Sequence, residues 1–136
     1  MKKILFFFLF IFSFSSLAQD TSYKVVLDLT SSDTKTWEII LNNLENIRRE
    51  LGPATKMQVV THGGGIDFLR SKSAFQTERI KKLHQLGVTF IGCENTLKRK
   101  SISPQELYPF VTTVPSGLAE VIRKQSVGWA YLKIGH

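Results

Sequence analysis

Cys93 is the one cysteine of the chain. It stands in VTFIGCENTLKRK, where a strand-like apolar run, Val88–Ile91, gives way to a polar turn and the basic cluster Lys98, Arg99 and Lys100. The thiolate is the reactive form of cysteine, and a helix N-terminus or nearby cations stabilise it. The segment after Cys93 offers both, with backbone amides at Asn95 and Thr96 and cations at Lys98 and Arg99, while Glu94 opposes them. A histidine is a common partner for such a thiol, as base or as orienting group. His62 closes a second apolar run, Met57–Val60, and Gly63, Gly64 and Gly65 follow it. The chemistry on offer is nucleophilic sulfur beside an imidazole. The plainer reading makes Cys93 a small buried filler and His62 a residue of a surface turn.

Two further stretches carry polar groups of interest. The glycine run can let the backbone approach a ligand or adopt positive φ, but it lacks the spacing of a phosphate loop or a dinucleotide fold. Thr30, Ser31, Ser32, Asp33 and Thr34 form a hydroxyl-rich turn after the first apolar run. Such a turn can hold a phosphate group or simply cap a helix. Val114-Pro115-Ser116-Gly117 is a tight turn of the same kind. No paired carboxylates are evident, and His62, His84 and His136 are too scattered to outline a metal site, His84 reading as a solvated helix residue. No cofactor is implied.

The elements that must position these groups are legible as strand–helix repeats. Tyr23–Leu29 reads as a strand. Trp37, Ile40, Leu41, Leu44, Ile47 and Leu51 recur at helical spacing, predicting a helix over Thr34–Leu51 that Gly52-Pro53 ends. Met57–Val60 is a second strand, and Ile66–Leu69 a less regular segment or short helix whose residues read equally as core or as contact surface. Phe75–Leu86 is a helix and Val88–Ile91 a third strand. Asn95–Lys100 is a turn or short helix, and Ser103-Pro104 a helix start. Phe110–Val114 is a fourth strand. Leu118–Gln125 is a helix with Leu118, Val121 and Ile122 inward, and Gly128–Ile134 a fifth strand with Trp129 and Tyr131 as core or contact residues.

Such alternation demands parallel pairing with helices on both faces. The expected fold class is a single three-layer α/β/α sandwich, flavodoxin-like, with about five mostly parallel strands. Every strand-to-helix turn then lies at one sheet edge. That edge gathers Thr30, Ser31, His62, Gly63, Gly64, Cys93, Asn95, Thr96, Ser116 and Gly117.

Met1-Lys2-Lys3, the apolar run Ile4–Phe14 and the small residues before Gln19 have the pattern of a secretory signal peptide over residues 1–18. Removing it leaves residues 19–136 as one domain with no stable membrane span, in the periplasm or secreted. The loss of Lys2 and Lys3 lowers the formal charge from +7 to +5. With its cations scattered, the chain shows no nucleic-acid footprint. A single cysteine makes no internal disulfide, so the fold rests on its apolar core.

The segments VVLDL, VVTHGGGIDFL, FIGCENTLKRKSI and VPSGLAEVIRKQSVGWAYLKIG together span nearly all of Tyr23–Gly135. In them the chain resembles the DsrE/DsrF-like proteins, and more closely the small exported DsrE-like branch. The resemblance implies a flavodoxin-like domain assembling as a homotrimer or hexamer. It also implies a cysteine, here Cys93 by motif position, that carries persulfide sulfur between a donor and an acceptor protein or small thiol. Those relays are cytoplasmic, whereas the leader directs this chain outward. The expectation is an exported sulfane-sulfur carrier, transferase-like at most. The alternatives are a non-catalytic module for a nucleotide, flavin or anion, and an oligomeric scaffold.

Overall fold

A computed structural model of the chain describes residues 22–134, so the leader expected at residues 1–18 lies outside the described residues. Five strands form one sheet: β1 (Lys24–Leu29), β2 (Lys56–Thr61), β3 (Val88–Cys93), β4 (Thr112–Val114) and β5 (Ala130–Ile134). Every pairing is parallel and the order is β4-β3-β2-β1-β5. This is the expected three-layer α/β/α plan. Among the described residues no helix is long and apolar enough to cross a membrane.

The strand order fixes the layers. The steps from β1 to β4 all run the same way across the sheet, and right-handed crossovers then place their helices on one face. The return from β4 to β5 runs the other way and places its helix, α4 (Gly117–Ser126), on the opposite face. The first face carries α1 (Thr34–Leu51) and α2 (Thr77–Gln85). It also carries a 3-10 segment, Gly63–Leu69, and holds the main core, including Leu27, Leu41, Leu44, Phe68, Leu83 and Phe90. Under α4 lies a small separate cluster of Val26, Val60, Ile91 and Val121.

Helix α1 has the predicted bounds because both ends carry strong signals. The Asp33 carboxylate accepts the Thr36 amide at 3.1 Å, and Gly52 takes φ +85° as the chain leaves. Helix α2 starts at Thr77, later than expected, because Ala74 and Gln76 sit in left-handed backbone. Phe75 packs edge-on against Trp37 instead. The helix start at Ser103 becomes one 3-10 turn, Pro104–Glu106, closed by a capping box.

The fourth strand is shorter than Phe110–Val114. Phe110 stacks between Tyr108 and His84, with centroids 5.4 and 4.5 Å away, and pairing begins at Thr112. That stacking makes His84 a packed residue and not a freely solvated one. Ile66, Phe68 and Leu69 are fully buried, which decides for core over contact surface in this segment.

The largest departure is in α4. Val121 is buried, whereas Leu118 is 57% and Ile122 66% exposed. One helix lying alone on a sheet buries only the line of residues facing it, here Gly117 and Val121 four apart. Leu118 and Ile122 each follow one position later and are turned away.

Candidate functional site

Side chains alternate along a strand, so β1, β2 and β3 each offer one set to the thick core and the other to the α4 side. On β3 the α4-side set ends in Cys93. Glycine at 92 faces the main core, where a Cβ would sit 3.3 Å from Ile66 and Leu107. Register pairs Thr61 with Gly92, so His62 comes up beside Cys93. Asp28 on β1 pairs with Val60, placing it one diagonal step from His62 on the same face. Tyr131 on β5 pairs with Val26, one further diagonal step from Asp28.

These positions become a hydrogen-bonded line. His62 Nε2 lies 2.8 Å from Asp28 Oδ1, and the Tyr131 hydroxyl donates to Asp28 Oδ2 at 3.2 Å. Asp28 is 5% exposed, and a carboxylate so placed requires such partners. The bond to Asp28 raises the His62 pKa above its ordinary value; burial opposes the rise, and the charges of Asp28 and Cys93 reinforce it. Burial, then the Asp28 charge, pushes the Tyr131 phenol up.

Cys93 is buried at the end of β3, where α3 (Glu94–Arg99) begins. Burial pushes its thiol up. That effect is outweighed by the donors near the sulfur, the Gly117 amide first, then the Thr96 hydroxyl and the Thr96 and Asn95 amides, so the thiol lies below its ordinary value; the Asn95 amide itself bonds the Pro115 carbonyl, at 3.2 Å. The Thr96 hydroxyl can serve the sulfur as donor because its oxygen accepts the Gly63 amide, at 3.1 Å. Glycine at 117 keeps the space between its amide and the sulfur tight. A Cβ there would lie 3.3 Å from Cys93 Cβ and Val60 Cγ1 and 3.4 Å from His62 Cβ.

A cavity of about 170 Å³ opens over the sulfur, lined by His62, Cys93, Asn95, Thr96, Arg99, Ser116 and Leu118. The structure thus brings together Cys93, His62, Asn95, Thr96 and Ser116, with Gly117 beneath and Gly63 behind Thr96. Ser116 also caps α4 through the Ala119 amide, at 3.3 Å. The arrangement can stabilise a sulfur anion through the amides and hydroxyl near it and hold a proton on the neighbouring imidazole.

Lys98 is placed elsewhere. It lines a separate hollow of about 310 Å³ with Glu94, Leu97 and Ile102, and the cation at the Cys93 cavity is Arg99, for which no ion pair is formed among the described residues. Glu94 is held by the Thr113 hydroxyl at 2.9 Å. Thr30 and Ser31 serve local structure: the Thr30 carbonyl accepts the Gly65 amide, and the Ser31 hydroxyl accepts the Asp33 amide. Gly64 and Gly65 are close-packing positions, since a Cβ on Gly65 would lie 2.1 Å from the Leu29 carbonyl oxygen. Among the described residues no cluster of side chains could hold a metal ion.

Sequence reasoning passed over Asp28, Tyr131 and Leu118 as parts of this site. The signal for Asp28 was present. A lone carboxylate in the apolar run YKVVLDL must find a partner once both sheet faces are covered.

The model of the DsrE/DsrF-like family matches residues 8–134 of the chain. Among solved structures, a protein of unknown function from Methanobacterium thermoautotrophicum is similar at 28% identity and a TM-score of 0.79, the match covering 82% of this chain and 99% of that one. A conserved protein of unknown function from Bacteroides thetaiotaomicron matches at 15% identity and a TM-score of 0.66, over 82% of this chain and 94% of that one, a likeness of fold alone. No curated protein matches.

Proposed function

The chain belongs to the DsrE/DsrF-like family, and on that premise we propose that it binds or transfers sulfane sulfur as a persulfide on Cys93. The observation that carries the proposal is the environment of the sulfur. Amide and hydroxyl donors gathered near the sulfur, that of Gly117 first, outweigh burial and lower the thiol pKa, and a small cavity gives access. A buried filler would have no use for such donors.

The step needs no outside oxidant. The Cys93 thiolate attacks the terminal sulfur of a polysulfide or protein persulfide. One S–S bond forms on Sγ, the donor's S–S bond breaks, and the shortened donor leaves with the electron pair. A second thiol, from an acceptor protein or a small molecule, then takes the outer sulfur and returns Cys93 to the thiolate. Intact-mass measurement of purified protein after polysulfide treatment is the test. A gain of about 32 Da, one sulfur atom, that Cys93→Ser abolishes is the expected result. Wild type left unmodified under conditions that label a control thiol would overturn the proposal.

Assembly and location complete the reading. The exposed Leu118 and Ile122 on α4, with Val127 beyond, support a homo-oligomer, trimer or hexamer. A strictly monomeric protein by light scattering would remove that element. The leader pattern in Met1–Ala18 supports export to the periplasm or beyond, in which case the mature protein should begin at Gln19 on N-terminal sequencing.

A further inference from the structure

Asp28 is the group toward which the hydrogen bonds of the site run, although it never touches the cavity. It is nearly fully buried, accepts from His62 on one oxygen and from Tyr131 on the other, and stands on the strand between theirs. Three side chains from three adjacent strands thereby form one diagonal line that ends beside Cys93. We infer that Asp28, and Tyr131 through it, are positioning residues that fix the His62 ring and hold its protonated form so that Cys93 stands as a thiolate beside an imidazolium. The inference rests on the reading of Cys93 as a reactive thiol.

The proton balance is simple. With the Nε2 proton committed to Asp28, Nδ1 is the ring nitrogen left to take up the proton that Sγ releases, and no electrons change hands. The charged groups around His62 are few. Asp28 is hydrogen-bonded to the ring, Cys93 and Arg99 share its cavity, and Lys133 is registered beside Asp28 on β5. Glu120 on α4 is taken by Gln58, at 2.9 Å, and by Arg123 and Lys124. Asp28 alone both touches the ring and carries the sign that favours the imidazolium.

A purely structural account would have His62 and Tyr131 present only to satisfy a buried carboxylate. The two accounts differ in what happens at the sulfur. The rate of Cys93 alkylation by iodoacetamide should be followed against pH in wild type, Asp28→Asn and Tyr131→Phe. Asp28→Asn should raise the midpoint by about one pH unit, which is about tenfold slower alkylation below the midpoint. Tyr131→Phe should move it the same way by less, and Asp28→Glu should recover part of the loss. An unchanged midpoint in a folded Asp28→Asn protein overturns the inference.

If Asp28→Asn does not fold, Tyr131→Phe and NMR titration of His62 in wild type decide the matter. A His62 midpoint at or below about 6.5, the ordinary value, overturns the inference there. Polysulfide uptake measured on the same samples separates the two ideas. Uptake with an unmoved midpoint sinks the positioning role alone, and a moved midpoint with no uptake by wild type sinks the sulfur reading alone.

Discussion

The two faces of the sheet are built to different standards. On one, α1, α2 and the Gly63–Leu69 turn seal a core in which Leu27, Ile40, Leu44, Phe68 and Phe90 have no solvent exposure to speak of. On the other, α4 lies alone over Val26, Val60 and Ile91, and the strands beneath it carry Asp28, Gln58, His62 and Cys93. The covered face uses nearly every alternate side chain for packing and can spare none for chemistry. The thin face leaves room at its edge, and polar groups survive there because each finds a partner: Gln58 with Glu120, Asp28 with His62 and Tyr131, and Cys93 with amides. Packing and polar chemistry are divided between the faces.

That division can be broken by measurement. The largest effect should come from the thick face. Phe68→Ala should cost about 3–5 kcal/mol of unfolding free energy in denaturant titration. Val121→Ala under α4 should cost about 1.5 kcal/mol, at about 0.8 per buried carbon. Equal losses would show that the two layers are one cooperative core and erase the contrast.

Next in size is Gly117→Ala. The added Cβ presses on Cys93, Val60 and His62 and should lift the Gly117 amide away from the sulfur. The thiol midpoint should then rise and alkylation at neutral pH slow roughly threefold to tenfold. Stability should change by less than about 1 kcal/mol, because alanine is the better helix former. A large stability loss with unchanged thiol reactivity would reverse the roles assigned to this face.

The smallest effect is in pH dependence. The folded pKa of His62 is raised, so its contribution to stability is fully present below the unfolded value and is lost as pH rises through the folded one. Cys93, with a lowered pKa, acts in the opposite sense, its contribution being lost as pH falls through the folded value. In Cys93→Ser only the first trend remains. Unfolding free energy should decline as pH climbs above about 6.5, and a rise across that window would exclude the His62–Asp28 pairing as its source.

Much of the fold could be read from residues alone because its signals are local. The bounds of α1 follow from Asp33 and Gly52, and the strands follow from β-branched runs between turns. The side of a helix that meets the sheet is not a local property when the helix has one neighbour. Leu118, Val121 and Ile122 form an unbroken apolar stripe, and only the position of α4 over β1, β2 and β3 decides that Val121 alone is covered. The same holds for Lys98 and Arg99. Neighbours in a helix point about 100° apart, so one faces the cavity and the other a different hollow. Cys93 and His62 were legible because strand ends converge at one sheet edge. Asp28 and Tyr131 act from further back along their strands, where register and not chain order sets the neighbours.

The order in which the chain leaves the ribosome gives the last feature its meaning. Strands β1 to β4 are complete before α4 and β5 emerge, and β5 must travel back across the sheet to dock on β1. The Gly117 amide and the Tyr131 hydroxyl belong to that final segment. Without that segment Cys93 lacks the neighbouring Gly117 amide and Asp28 lacks one of its two partners, so the site is complete only when the chain has returned to β1.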